Sequence, residues 1–384
     1  MTREPAWSWP RAAYVHIPFC AHHCGYCDFA VAVGQDERID DYRRALEAEL
    51  SRLGEPQRVE TLFLGGGTPT HLRARQLDEL LKAIRMWLIL DSGYEFSVEA
   101  NPAGLDDDKI RVLADHGVNR VSLGAQSFNA ATLLVLERDH RADDIAAAVD
   151  HVRKRIENVS LDLIFGVPGQ DLAAWQADLE RALALEPSHV STYGLTYEKG
   201  TRLWKQRRRG ELRPLDEDLE LAMYTTALDR LAAAGIEQYE ISNHARPGFR
   251  CRHNEVYWAN AAHFGFGVGA ASYIRGVRRL NTRDLSGYIR RALTGEATHF
   301  QTEELPPRER AIETAVMQVR RVEGIGRSSF HAQTGFPVET ILGGTMARLV
   351  DLGLLADDSE NVALTRRGRC VADAVIQEVM KASL

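Results

Sequence analysis

The sequence predicts an α/β protein: a partial barrel with a parallel sheet, followed by a smaller, mostly helical, winged-helix-like domain. Three observations carry this. Strand-like and helix-like stretches alternate six times between residues 12 and 197, and the strands are nearly continuously apolar, as in a parallel sheet covered on both faces. Each distinctive cluster of cysteine, glycine or polar residues falls just after a strand, the edge at which such sheets hold ligands. Past the pair Pro306-Pro307, read as a linker, the alternation gives way to a helix, a short hairpin and a second helix.

Taken in order, "AAYVHI" is a strand leading directly into a cysteine loop, and "ERIDDYRRALEAELSRLG" is an amphipathic helix stopped by Gly54. "VETLFLGGGTP" is followed by the helix "RARQLDELLKAIRMWL", and "YEFSVEANP" by "LDDDKIRVLADHG". "RVSLGAQSF" precedes "RADDIAAAVDHVRKR", "VSLDLIFGVPG" precedes "DLAAWQADLERALAL", and "HVSTYGLTY" is the sixth strand. Right-handed crossovers would bring all the strand ends to one mouth, so a single site is expected there. Beyond Tyr197, "GFRCRHNEVYWANAAHFGFGVGAASY" is rich in aromatics and glycine with no clear helical period. The segment "TILGGTMARLVDLGLLADDSENVALTRRGRCVADAVIQEV" supplies the C-terminal helix, hairpin and helix. The expected domains are residues 1–290, including the aromatic segment, and 300–384.

Composition narrows the classes. The 384 residues are 45% hydrophobic, 26% charged and 8% aromatic, as in a globule with a large core. With 47 basic against 54 acidic residues the formal charge is −7, which argues against general affinity for nucleic acid or anionic membrane. The opening "MTREPAWSWPR" lacks the apolar core of a secretion signal, and no stretch approaches the roughly 20 apolar residues that cross a bilayer. A cytoplasmic protein is expected. Five cysteines, three of them at positions 20, 24 and 27, then point to metal or redox chemistry rather than disulfides.

Thiolates suit zinc, copper(I) and iron–sulfur clusters. His22 or His23 could complete a zinc site with Cys20, Cys24 and Cys27, although structural zinc ligands usually come as two separated pairs. An iron–sulfur cluster held by three cysteines would leave one iron open to an exchangeable ligand. Burial as three hydrophobic thiols is the plainest alternative, and the strand before the loop, Pro18, Gly25 and two aromatics speak against it.

"CAHHCGYC", a CxxxCxxC loop with Tyr26 before its last cysteine, resembles the radical S-adenosylmethionine (SAM) superfamily. "YVHIPFC", "CDF", "LGGGTPT", "VEANP", "GVNRVSLGAQSF", "LDLIFGVPGQ" and "HNEVYW" follow one another as in the oxygen-independent coproporphyrinogen III oxidase-like family, which includes a heme-chaperone branch. The resemblance spans nearly the whole chain. It implies a partial (β/α)6 TIM-like barrel of the radical SAM type, and a [4Fe–4S] cluster on Cys20, Cys24 and Cys27 whose open iron chelates SAM. It further implies SAM contacts from Tyr26, Gly66, Gly67, Thr68, Glu99, Gln126, Arg138 and Asp162. Read from their chemistry alone, Gly65 to Gly67 let a backbone approach a ligand, Glu99 is an acceptor, and Arg138 could pair a carboxylate.

"HNEVYW" matches the HNxxYW motif that the chaperone branch associates with heme. His253 is the implied axial ligand, with Tyr257, Trp258 and Tyr14 beside the tetrapyrrole and Cys251 as a second candidate ligand. A histidine among aromatics is otherwise most often a hydrogen-bonded core residue, and a strand tyrosine such as Tyr14 is more often core. "GFGVGA" is read as a turn near the site, and "KQRRRG" as a solvated helix face.

Two functions remain from different classes: an oxidase that decarboxylates coproporphyrinogen III in porphyrin biosynthesis, and a carrier that binds heme and delivers it to acceptor proteins, some of them membrane-associated. Two departures favour the carrier. The oxidases have a further cysteine where this chain has Phe29, and an N-terminal extension where this chain has only a short stretch before its first strand. Family resemblance also suggests a homodimer.

Overall fold

The computed structural model describes residues 9–381. The first eight residues, part of the stretch read for a secretion signal, lie outside them, as do residues 382–384.

The six anticipated strands form: β1 (Ala12–Ile17), β2 (Gln57–Gly66), β3 (Leu88–Ala100), β4 (Arg120–Gln126), β5 (Asn158–Phe165) and β6 (His189–Gly194). They pair in sequence order and in parallel. The intervening helices are α1 (Ile39–Ser51), α2 (Ala74–Trp87), α3 (Asp107–Asp115), α4 (Ala130–Val135), α5 (Ala142–Arg153) and α6 (Leu172–Ala184). Their starts follow local chemistry. Asp106 and Asp171 accept the first-turn N–H groups of α3 and α6 at 2.8 and 2.7 Å. In α2, Leu77, Leu80, Leu81 and Ile84 recur at helical spacing and are buried against the sheet.

The strands are covered on both faces, but the two faces differ. Val98, Val121, Leu123, Leu161 and Val190 belong to the main apolar core. The alternate residues Ser97, Ser122, Ser160, His189 and Ser191 are also buried, and they line a polar lumen. A small apolar cluster of Phe63, Tyr239, Ala245 and Cys251, with Tyr14 packed against it, fills part of that lumen.

The sheet is wider than the period suggested. Among the described residues it has nine strands. Phe264–Phe266 pairs in parallel with β1 at one edge, and Asn243–Ala245 pairs antiparallel with β6 at the other, followed by Glu237–Gln238. The two edge strands do not pair with each other, so the barrel is open. The segment after Tyr197 also contains helices α7 (Arg202–Arg208), α8 (Glu217–Ala233) and α9 (Arg252–Trp258). The HNxxYW motif is therefore helical, contrary to its lack of a clear period, because two turns are too short to show one. "GFGVGA" does turn the chain: at Gly267, φ is 96°, and a side chain there would overlap the Tyr42 hydroxyl.

Buried Glu49 of α1 ties this edge together. It accepts bonds from Gly267 N, Asn281 Nδ2, the Tyr288 hydroxyl and Thr298 Oγ1, each at 2.7 Å. Pro306 caps a helix that Pro307 begins, Pro307–Gln318, so the proline pair starts an element. Helices Arg327–Thr334, Val338–Asp351 and Ala372–Lys381 follow, with the hairpin of Leu355–Asp357 and Asn361–Leu364 between the last two. Ile325–Gly326 adds the third strand of a winged-helix-like unit with its own core around Phe330, Leu342 and Val362.

Candidate functional site

A cavity of about 620 Å³ opens at the C-terminal ends of the strands. The cysteine loop and every residue expected to contact SAM line it: Cys20, Cys24, Tyr26, Cys27, Gly66, Gly67, Thr68, Glu99, Gln126, Arg138 and Asp162. Strand alternation explains much of this, since Glu99 and Asp162 occupy the lumen-facing register of their strands.

The three cysteines are partly buried and unpaired. Burial raises the Cys20 thiol, and pushes the Cys27 thiol up to about 11. Thr68 Oγ1 lies 3.5 Å from Cys20 Sγ, and Arg138 Nη1 lies 3.4 Å from Cys24 Sγ. Among the described residues, no three His, Cys, Asp or Glu side chains converge on one point as a single-ion site would require. A cluster that takes each thiolate on a different iron suits thiols spread over a loop, and a cationic guanidinium beside one sulfur suits a group carrying negative charge.

The glycine loop is a cradle that side chains would fill. Gly66 has φ 102°, and a Cβ there would overlap the His16 imidazole; one on Gly67 would sit 2.6 Å from the Ile17 carbonyl oxygen. His16 is itself fixed, through the Tyr14 hydroxyl at 3.0 Å and the Ala30 carbonyl at 2.8 Å. Glu99 accepts the Gly66 N–H at 2.8 Å, and burial pushes its carboxyl up to about 7. Asp162 accepts from Ser122 and Ser191, the latter at 2.7 Å, and burial raises its pKa as well. Glu99, Asp162 and the bare backbone of the glycine loop line the same cavity, where the two carboxyl groups are acceptors for a cationic group.

Among the described residues Arg138 pairs no protein carboxylate, which leaves its pairing with a ligand untested. Its Nη2 donates to Asn101 Oδ1 at 2.7 Å and to the Gly124 carbonyl at 3.0 Å. Sequence reasoning missed Asn101, Ser122, Ser191 and His16. The two serines lie at the lumen-facing positions beside Asp162 and Glu99, so strand parity was the signal that could have found them.

The residues expected around heme are elsewhere. Tyr14, His253 and Tyr257 meet inside the lumen below the cavity, and none of them lines it. His253 is 1% exposed and stacks on Phe63 at 5.2 Å. Its Nδ1 is 2.9 Å from Thr61 Oγ1 and its Nε2 is 2.9 Å from the Tyr257 hydroxyl. Burial pulls its pKa down to about 3, so the ring is neutral. Glu95 holds the start of α9 through Arg252 N at 2.8 Å and His253 N at 3.1 Å. Trp258 is half-buried at the other end of α9, with Arg320 over its ring at 4.7 Å. Cys251 is fully buried, and its thiol is pushed up to about 12 by burial.

An open parallel barrel with a three-cysteine loop and a glycine cradle at its mouth defines a radical SAM protein, and the family model of the radical SAM superfamily matches residues 14–182. That of the HemN C-terminal domain matches residues 305–371. The chain belongs to the HemW family: it is 36% identical over 372 residues to the heme chaperone HemW of Lactococcus lactis, covering 97% of each chain. It is 35% identical to the heme chaperone HemW of Bacillus subtilis, over 95% of this chain and 98% of that one. Its fold is similar to that of coproporphyrinogen III oxidase (HemN) from Escherichia coli, with a TM-score of 0.83 at 23% identity, covering 98% of this chain and 90% of that one.

Proposed function

We propose that this protein binds heme and passes it to acceptor proteins, some of them membrane-bound, from the cytoplasm, while carrying a [4Fe–4S] cluster and SAM at the barrel mouth. Cys20, Cys24 and Cys27 would hold the cluster, with Arg138 stabilising the thiolate of Cys24. Gly66 and Gly67 would admit the methionine part of SAM, Thr68 would offer it a hydroxyl, and Glu99 and Asp162 would accept its cationic groups. When bound, such a cluster supplies a Lewis-acidic iron and one electron at a time.

The observation that carries the heme reading is the intact HNEVYW helix, with His253 buried as a neutral imidazole, the form that ligates a metal. Both its nitrogens are engaged, so heme ligation requires Tyr257 or Thr61 to release one of them. The curated relatives named heme chaperones support the same reading. Phe29, 64% exposed at the lip of the cavity where the oxidases have a cysteine, supports a carrier over an oxidase. The deciding experiment is an anaerobic hemin titration of wild type and His253→Ala, followed at the Soret band. Saturable binding near one heme per chain, weakened in the variant, is expected; no specific binding by wild type would overturn the reading. Reconstituted protein is expected to leave coproporphyrinogen unconverted, and to sediment as a homodimer.

No helix among the described residues is long and apolar enough to cross a membrane.

A further inference from the structure

Five non-glycine residues among those described have positive φ, and two of them, Gln126 at 62° and Glu137 at 58°, bracket α4 beside the cavity. Neither residue is suited to that conformation. At Gln126 the Ser127 N–H reaches back to the Ala125 carbonyl at 2.7 Å, closing a γ-turn of the rarer, strained hand. The side chain so displayed lines the cavity with Gly124 and Arg138, and no protein group among the described residues hydrogen-bonds it. Strain of this kind persists only where surrounding contacts over-determine the backbone.

Those contacts come from behind the sheet. Asp178 of α6 is 1% exposed, and its two carboxylate oxygens accept the Ser127 hydroxyl at 2.6 Å and the Phe128 N–H at 2.7 Å. Ser127 Oγ in turn accepts the Asn129 N–H at 2.9 Å, and the Asn129 side chain caps α4 through Ala131 N and Thr132 N. One turn along α6, Arg181 donates to the Phe128 carbonyl and lies over the Phe128 ring. The carboxylate thus fixes both the residue after Gln126 and the start of the helix that leads to Arg138.

We infer that Asp178 is a positioning residue for the cofactor pocket: it holds the turn that presents Gln126 to the ligand, and it never touches the ligand itself. This rests on the reading of the cavity as the SAM site. A purely structural Asp178 would lower stability without a specific link to Gln126.

The test measures SAM affinity by equilibrium dialysis on full-length, cluster-loaded protein, with iron content and circular dichroism recorded alongside. Asp178→Ala and Gln126→Ala are each expected to weaken SAM binding about tenfold or more with iron content unchanged, since no cysteine is disturbed. The double variant should bind no more weakly than Gln126→Ala, because the two act as one unit. Wild-type affinity in Asp178→Ala, or losses that multiply, would overturn the inference. Should Asp178→Ala fail to fold, Asp178→Asn, which leaves a single acceptor oxygen for the Ser127 hydroxyl and the Phe128 N–H, serves the same comparison. A wild type that binds no SAM would overturn the cofactor reading and this inference with it, whereas tight wild-type binding with an indifferent Asp178 would overturn the inference alone.

Discussion

Replacing Glu99 by Gln should remove a pH dependence from SAM binding. The carboxyl accepts the Gly66 N–H, and burial pushes its pKa to about 7, with Asp162 raising it further and Arg120 opposing. A cationic ligand favours the ionised form. Lowering the pH from about 8 to about 6 leaves roughly one-tenth of the groups ionised, so affinity should fall about tenfold, equivalent to about 1.4 kcal/mol. The neighbouring His16, pulled down to about 4 by burial, stays neutral throughout this window. Equilibrium dialysis under anaerobic conditions checks the slope, and the Gln variant subtracts proton effects that belong to the ligand or to other groups. Equal slopes in the two proteins would refute the reasoning. The same shift has a consequence for stability without ligand. The folded carboxyl holds its proton more tightly than the unfolded chain does, so its contribution is fully present below the ordinary carboxylate range and is lost as the pH rises towards about 7. The loss is on the order of 3 kcal/mol at most, and Glu99→Gln should escape it.

Replacing any one of Cys20, Cys24 or Cys27 by Ala should abolish the cluster absorbance and leave hemin binding largely intact, because the thiols and His253 lie in different parts of the barrel; equal loss of both would show the sites to be one. Gly66→Ala meets the His16 ring at a φ that disfavours any side chain, and should cost about 3 kcal/mol in chemical denaturation together with most SAM affinity. His253→Ala removes a stacked ring and strands the Thr61 and Tyr257 hydroxyls, for a loss of about 3 kcal/mol. An unchanged midpoint would mean that the helix is not anchored by this residue.

The sequence alone determined the six strands, five of the helices between them, their order and the edge at which the distinctive clusters gather, because strand alternation, helical spacing and caps such as Asp106 and Asp171 are local properties that neighbouring residues express together. It also placed the cysteine loop and the glycine cradle, whose chemistry lies in a few consecutive residues. What it left undecided depends on distant segments meeting. Phe264–Phe266 becomes a strand only because β1 offers an unpaired edge, since three residues have too little propensity to do so alone. The HNEVYW helix turns His253 into the lumen because Glu95, Thr61 and Phe63 receive it there, and nothing within the motif encodes those partners. Gln126 is bent into the pocket by Asp178, a contact between strand end and helix that no local period could reveal. Tertiary structure decided these because pairing register and side-chain contact between remote segments are settled only when the sheet closes around them.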